Sequence, residues 1–576
     1  MTSLKTKASV QVEAIGVRGL RRLARMPLDP MSMLRSDIRE AIAELGDAPG
    51  QEPTLERPPS PEMGDYSTNA AMLLAPVVGE PPRSVAGRLA AGLSGRLGIR
   101  AERTEVAGPG FLNIFLSDAW HREATAHVLG TARFGHAPQR SQSVLLEFVS
   151  ANPTGPLTVA GGRGAAYGDS LARVLEAAGH AVEREYYVND AGTQIQLFAV
   201  SIAARMRGDE PPADGYTGQY VSELADELVA GAADPNDLDE LGRRGVEAMR
   251  RRIEGTLERF GVRFDRWSSE RELHERGALQ TTIAALEATG RTYESGGALW
   301  LRTSEFGDDK DRVLVRSDGE PTYFASDIAY HRDKIERGAD LMIDPLGADH
   351  HGYVPRMRAA IAMLAGDPDR YEAPIMQLVN IVEGGERARM SKRRGDFVTL
   401  DELIDDIGAD AARFFLLQRG LDSTLDLDLE LARKESQENP VYYVQYAHAR
   451  IASILRKAKR EGAPADDASI ARAAADAVAL AAGCAPAEKA LVRRLLDLPG
   501  EVETAANKRA PHRLCAYAGA VAADFHAFYR DCRVVGADAE AGVEGLEAAR
   551  LGVCLATKRV IAETLGLLGV GAPESM

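Results

Sequence analysis

The sequence predicts an α/β protein in which an open parallel-sheet domain lies between a small α/β module and an all-helical C-terminal region. Three observations carry this. The stretch Val144–Asp190 reads as an apolar strand, a Gly/Pro-rich turn, an amphipathic helix and a second strand, the repeating unit of open α/β sheets. Strand and helix patterns continue to alternate from Ala298 to Leu400. From about Arg433 the chain turns to helix after helix, rich in alanine and without a strand pattern, as expected of a separate all-α domain.

Taken in order, residues 1–32 carry Lys5, Lys7, Arg18, Arg21, Arg22 and Arg25 against Glu13 and Asp29 and lack the apolar stretch of a secretory signal. They read as a disordered extension or an over-extended start rather than a transit peptide. Residues 33–118 read as the small module. It has a helix over Leu34–Leu45, a polar Pro-rich linker from Gly50 to Met72 and a helix over Val85–Leu97. A half-buried strand, Phe111–Leu116, then comes after the tight turn of Gly108, Pro109 and Gly110. The sheet domain spans 119–432 and opens with a connecting helix, Asp118–Leu129. Helical sequence from Gly192 to about Gly261, with an acidic loop at Gly231–Gly242, marks an insertion between the two halves of the sheet, at about 196–290. Residues 433–576 form the helical domain.

With 576 residues, 45% hydrophobic and 27% charged, the composition is that of a multi-domain globular chain. No window approaches the roughly 20 apolar residues of a membrane span, and no membrane partner is expected. A net charge of -16 argues against wholesale electrostatic binding of nucleic acid and leaves room for local basic patches. Cys484, Cys515, Cys532 and Cys554 form no CxxC pair, so they read as free thiols in a reducing cytoplasm. Asp349, His350 and His351 lack a third ligand at chelating spacing, and no protein-bound metal is expected.

The turn after the first sheet strand lacks both GxGxxG and GxxxxGK[ST], so neither a dinucleotide fingerprint nor a P-loop fits. Its glycines still place a helix N-terminus at Gly162–Gly164, where backbone amides can meet phosphate, with Arg163 adding positive charge. Farther on, Ala388–Gly395 reads ARMSKRRG. Lys392 with Arg389, Arg393 and Arg394 suits either a basic surface loop or the neutralisation of a departing polyphosphate.

The residues beyond that loop narrow the choice. Met390–Leu417 resembles the signature loop and adjoining helix of bacterial arginyl-tRNA synthetases, a class I family, with Arg389 in place of the first lysine of Lys-Met-Ser-Lys. GDYSTNAAM, AGPGFLNIFL, EFVSANPTGPL, REYYVNDAGTQI, YFASDIAYH, GADHHGYVPRM, NPVYYVQYAHARI and HAFYRDCRVV fall in that family's order. The resemblance runs from about Met33 to the C-terminus. It implies a Rossmann-like class I catalytic domain, an N-terminal domain against the tRNA elbow and a helical anticodon-binding domain.

It further implies ATP with Mg2+, L-arginine and tRNA(Arg) as substrates, with activation that needs tRNA, in a monomeric cytoplasmic enzyme. The residues expected to act in catalysis are Arg389, Ser391, Lys392 and Thr158. ATP would lie on Ala151, Asn152, Pro153, Thr154, Gly155, Pro156, Leu157, Thr158, Val159, Ala160 and Gly161 and on Met390, Ser391 and Lys392. Arginine would be read by Glu147, Asn152, Tyr323 and Asp327, since carboxylates match a guanidinium fork. Tyr442, Tyr446, Arg450 and Arg456 would contact tRNA by stacking and phosphate pairing. His526, Phe528 and Tyr529 are expected to pack inside that domain, and GADHHG to lie beside the adenylate pocket.

One segment departs from the family. Where the His-Ile-Gly-His signature normally succeeds ANPTGPL, this chain reads Thr158, Val159, Ala160 and Gly161. Both imidazoles are absent, and losing one such preorganised donor costs about 10²–10³ in rate. Two readings remain: a working ligase whose phosphate contacts have moved to backbone donors, Thr158, Arg163 and the basic loop, or an inactive paralogue that binds tRNA or arginine.

Overall fold

In the computed structural model, which describes residues 29–47, 49–384, 386–387, 398–464, 466–479 and 483–576 without the side chains at 351 and 479, the first element is α1 (Pro30–Ala43). The Asp29 carboxylate accepts from the Met31 and Ser32 amides and Pro30 takes the first helical position. The helix therefore begins ahead of the apolar stripe that revealed it. Next come β1 (Tyr66–Thr68), α2 (Ala70–Val78), α3 (Pro82–Leu97), β2 (Ala101–Ala107) and β3 (Phe111–Leu116). The end of the Pro-rich linker is thus a strand, in an antiparallel sheet of order β1-β3-β2. As its middle strand with α2 and α3 against it, β3 is buried from Leu112 to Leu116 rather than half-buried. Helix α4 (Asp118–Gly130) leads onward.

The parallel sheet is built from β4 (Ser143–Glu147), α5 (Val159–Ala177) and β5 (Ala181–Val188). Three helices interrupt it, α6 (Thr193–Arg207), α7 (Gln219–Ala230) and α8 (Leu238–Arg259), before β6 (Arg266–Ser269). Then come α9 (Glu270–Glu275), α10 (Ala278–Ala288), β7 (Thr292–Ser295), β8 (Ala298–Leu301), β9 (Arg312–Val315), α11 (Tyr323–Glu336), β10 (Leu341–Ile343), β11 (Leu346–Gly347), α12 (Val354–Ala365) and β12 (Tyr371–Glu372). The sheet order is β12-β10-β4-β5-β6, every pairing parallel. Strand order reverses at β4, so the crevice beyond its C-terminal end is the topological switch point, where open α/β sheets take ligands.

The strand patterns at Ala298 and Arg312 do not join this sheet. They form an antiparallel meander β7-β8-β9. The β7–β8 link is Gly296-Gly297, with φ of 59° and 75°, a two-residue turn that only antiparallel neighbours can use.

Beyond it lie β13 (Ile375–Met376), β14 (Val379–Glu383), β15 (Glu386–Arg387), α13 (Leu400–Ile407), α14 (Ala409–Leu417), β16 (Leu425–Asp428) and α15 (Leu429–Ala432). The C-terminal region is helical throughout its described residues: α16 (Pro440–Arg460), α17 (Asp467–Asp476), α18 (Pro486–Leu495), α19 (Leu498–Asn507), α20 (His512–Asp531), α21 (Ala537–Ala541) and α22 (Leu546–Leu568). All four cysteines are free, and Cys515, Cys532 and Cys554 are buried.

Two features fix α5, the helix after the turn. Gly168 lets it lie directly on the end of β4: a Cβ there would stand 2.1 Å from Cγ of Phe148. Arg413, fully buried on α14, donates to the Asp169 carboxylate of α5 at 2.5 Å, the Phe260 carbonyl at 2.9 Å and the Leu568 carbonyl at 3.0 Å. One guanidinium thereby joins the sheet domain, the end of the helical insertion and the last helix. Removing one partner of a buried pair costs about 3–5 kcal/mol. Arg413→Leu should lower unfolding stability by about that amount, somewhat less where Arg173 still pairs Asp169 at 2.8 Å, as measured by denaturant titration.

Candidate functional site

Every strand of the parallel sheet delivers an acid near its C-terminal end. Glu147 ends β4, Glu372 ends β12, Asp344 comes directly after β10, Glu270 directly after β6, and Asp190 lies just past β5. Glu185 stands directly beside Glu147 in the β4–β5 register. Like charges abreast are destabilising, and α11 answers them. Lys334 Nζ donates to Glu147 Oε2 at 2.5 Å and Asp344 Oδ1 at 2.9 Å. Arg337 donates to Glu185 at 2.6 Å, and the Tyr330 hydroxyl donates to the same residue at 3.1 Å. His331 Nε2 lies 2.7 Å from Asp344 Oδ2. Burial alone would push the Asp344 carboxyl up, but Lys334 and His331 outweigh it and hold it below the usual range.

Asp327 and Glu270 stand apart from this neutralised set. Among the described residues Asp327 makes no ion pair with lysine or arginine. It is half-buried, and burial together with the Glu270 and Glu147 charges pushes its carboxyl up to about 6, against the Tyr353 hydroxyl and His331. Burial likewise raises Glu270, with Asp190 adding to the rise and His274, 3.6 Å away, opposing it. The Tyr187 hydroxyl is held protonated by burial and by Glu270, Asp327, Glu147 and Asp190 together, and its ring lies 4.4 Å from that of Tyr330. The site is a pocket of carboxylates with charge to spare for one cation. Volume does not mark it: a cavity of 1070 Å3 between α1, the loop after α4 and α19 contains none of these acids.

The turn beside this pocket is strained. Val149 (φ 68°) and Ser150 (φ 38°) occupy left-handed backbone, costly for a β-branched residue. Ser150 Oγ donates to Glu147 Oε1 at 2.8 Å and accepts from the Tyr187 amide at 3.1 Å. The Ala151 carbonyl accepts from Tyr186 Oη and the Thr154 carbonyl from Tyr220 Oη, each at 2.8 Å. Pro153, Thr154, Leu157 and Val159 are buried, Gly155, Pro156, Thr158 and Gly161 half-buried, Asn152 and Ala160 exposed. Asn152 Nδ2 donates to Gln194.

Two expectations for this turn need correction. The helix starts at Val159, ahead of Gly162–Gly164, because Thr158 has extended backbone and its Oγ caps the Gly161 amide at 3.4 Å. The Val159 amide bonds to the Val398 carbonyl, which leaves the Ala160 amide without a partner among the described residues. Arg163 supplies no charge to the turn. It is 1% exposed, and its guanidinium donates to the carbonyls of Gln377, Leu378, Gly420 and Ser423, so it braces α5 against the β14 and β16 ends.

Elsewhere, Tyr323 opens α11 one turn before Asp327 with its ring 70% exposed. Arg389, Met390, Ser391 and Lys392 lie outside the described residues; the chain resumes at Val398, and the Leu400 amide bonds to the Leu157 carbonyl. Asp349 and His350 are exposed on the short helical turn Ala348–Tyr353. In the helical domain the Tyr442 and Tyr446 rings stack at 6.3 Å, and Arg450 donates to Tyr446 Oη at 2.6 Å. Phe528 is packed as expected, but Tyr529 is exposed with the Arg450 guanidinium 4.4 Å over its ring. Arg456 instead donates to the Glu574 carbonyl near the C-terminus.

Sequence reasoning missed Glu270, Tyr187, Tyr353, Lys334, His331 and Asp344. Glu270 follows the helical insertion with no motif around it. On α11, the spacing of Tyr323, Asp327, Tyr330 and Lys334 along one helical face was the available signal.

Residues 125–428 match the family model of class I (R) tRNA synthetase catalytic domains, 32–116 the arginyl-tRNA synthetase N-terminal domain and 444–576 the DALR anticodon-binding domain. An arginine–tRNA ligase from Frankia alni is 48% identical over 563 residues, 96% of this chain and all of that protein. The chain belongs to the arginyl-tRNA synthetase family. Among solved structures, a Campylobacter jejuni chain is 34% identical with a TM-score of 0.72, covering 80% of this chain and all of its own. The Thermus thermophilus arginyl-tRNA synthetase is 26% identical with a TM-score of 0.71, covering 94% of this chain and 99% of its own. Membership makes this a class I synthetase that uses ATP and charges tRNA with arginine.

If Asp327 takes the guanidinium, a cation at all accessible pH values, arginine binding should favour its ionised form. Affinity should be full above pH 6 and fall as the pH drops through about 6, with proton release on binding near that value. Titration calorimetry in buffers of different ionisation enthalpy measures both, and Asp327→Asn should reduce the proton release.

Proposed function

We propose that the protein ligates L-arginine to tRNA(Arg) through an arginyl-adenylate. An arginine carboxylate oxygen attacks the α-phosphorus of Mg2+-ATP, and the bond to diphosphate breaks. A hydroxyl of the terminal tRNA ribose then attacks the activated carbonyl, and AMP leaves with the carboxylate oxygen. This chemistry needs positioning and charge neutralisation more than proton transfer, and no general base is assigned. The observation that carries the reading is Asp327, a carboxylate without a lysine or arginine partner among the described residues, in a cluster whose Glu147, Asp344 and Glu185 are each ion-paired.

In this reading Asp327 and Glu270 take the guanidinium, with Tyr323 closing over it, while Glu147 and Asn152 face the rest of the amino acid. The 151–161 turn and the Ala160 amide meet ATP. Arg389, Ser391 and Lys392 neutralise the leaving diphosphate, and Tyr442, Tyr446 and Arg450, joined by Tyr529, stack on and pair with the anticodon loop. Arg456 contributes through its hold on the C-terminal residues. The enzyme acts as a monomer in the cytoplasm.

Labelled arginine should be incorporated into tRNA(Arg), and diphosphate exchange should occur with tRNA present. Absence of turnover alongside retained tRNA binding would replace this reading with that of an inactive tRNA-binding paralogue, the reading that the missing signature histidines favour. Lys392→Ala should lower kcat by about 10²–10³ with little change in the KM for arginine; a raised KM at unchanged kcat would show that the loop binds amino acid instead.

Gly161 leaves room for a Cβ, which among the described residues would meet Leu157 Cδ2 at 3.4 Å. If the turn is rebuilt rather than decayed, the Thr158→His/Gly161→His double variant should gain less than about tenfold in kcat, under about 1.4 kcal/mol of barrier.

A further inference from the structure

Helix α11 carries Tyr323, Asp327, Tyr330 and Lys334 along one face. Lys334 is 0% exposed. Its ammonium is bonded to Glu147 Oε2 at 2.5 Å and to both oxygens of Asp344, at 2.9 and 3.2 Å, and stands 4.4 Å over the Tyr330 ring. A lysine has three N–H donors and no other polar atom, so the side chain is spent entirely inside the protein and has no donor left for a ligand. Burial opposes its charge, yet Asp344, Glu147 and Glu185 hold the ammonium protonated.

The other charges of the cluster are accounted for as well. Glu185 is held by Arg337, Tyr330 and Ser268. Asp190 accepts from Ser269 and the Arg271 amide. Glu147 is pinned from both sides, by Lys334 on Oε2 and by Ser150 on Oε1. Ser150 belongs to the left-handed Val149–Ser150 step that opens the ATP turn. Lys334 therefore reaches two sites through one carboxylate. It neutralises and orients the wall opposite Asp327, and it steadies the strained turn.

Resting on the reading of this pocket as the arginine site, we propose that Lys334 is its positioning residue, an internal ammonium that clamps Glu147 and Asp344 so that neither competes with Asp327 for the substrate cation. The clamp sets which carboxylates compete for the guanidinium. With it in place, Glu147 cannot swing toward the substrate side chain; without it, two carboxylates lose their counter-charge and the pocket its fixed geometry.

The test is the arginine KM measured in tRNA charging with the full-length protein. Lys334→Met should raise it at least tenfold and lower kcat less than threefold. Because that change strands two buried carboxylates, Lys334→Met/Asp344→Asn is assayed beside it. The double variant should unfold closer to the wild-type temperature yet keep the raised KM, since Glu147 still lacks its ammonium. A wild-type KM in the double variant, or a lowered kcat at unchanged KM, would overturn the proposal and leave Lys334 a purely structural group. Asp327→Asn is the independent control. Its KM must rise if the pocket binds arginine at all, so an unchanged value there refutes the pocket reading, whereas a raised value beside a normal double variant refutes only the role of Lys334.

Discussion

The parallel sheet places Glu147 and Glu185 side by side at the ends of β4 and β5, and the rest of the site depends on how that repulsion is met. Two isolated carboxylates in a half-dry crevice would protonate or drive the strands apart. Helix α11 supplies Lys334 and Arg337 one turn apart, and their spacing matches the spacing between neighbouring strands. Once α11 is held there by ion pairs, Asp327 two turns earlier must face the same crevice. The helix that quenches the inner acids is also the one that presents the unquenched acid.

That arrangement makes the site selective by subtraction. Most of the acids at the strand ends have cations or hydrogen-bond donors committed to them, and Asp327 stands out by having no lysine or arginine partner among the described residues. A fork-shaped cation answers two carboxylates better than a point charge, because it can meet both in plane. Glu270 comes from α9, after the helical insertion. The insertion therefore brings back the chain that sets Glu270 within electrostatic reach of Asp327.

Much of this was legible in the sequence where local pattern and tertiary role coincide. The strand–turn–helix of 144–190, the helices of the C-terminal domain, and Asp327 and Glu147 all sit in segments whose periodicity or family resemblance is strong. The losses have physical causes. β1 is three residues long and owes its existence to pairing with β3, which no local propensity records. The strands at Ala298 and Arg312 look like any others until the Gly-Gly turn is taken to force an antiparallel pairing. Arg163 stood beside a phosphate turn in sequence, but one helical turn points its guanidinium toward four carbonyls instead. Glu270 could be found only by knowing which distant segments converge.

The turn that lacks its histidines is held in place by its backbone. Leu157 and Val159 are bonded to Leu400 and Val398 on either side of the Thr158–Thr399 bridge, just where the basic loop returns. Thr399 also opens α13 with a reciprocal capping box to Glu402. A Cβ on Gly162 would come within 2.7 Å of Leu400, so the glycine permits this close seam. The geometry that sets the base of the loop against the α5 N-terminus thus uses main-chain bonds, one cap and a glycine, and asks nothing of the side chains at 158 and 161 beyond the Thr158 cap. Substitution there changes side-chain donors without loosening the frame that positions the α5 N-terminal amides, which is the condition under which backbone donors can stand in for side chains.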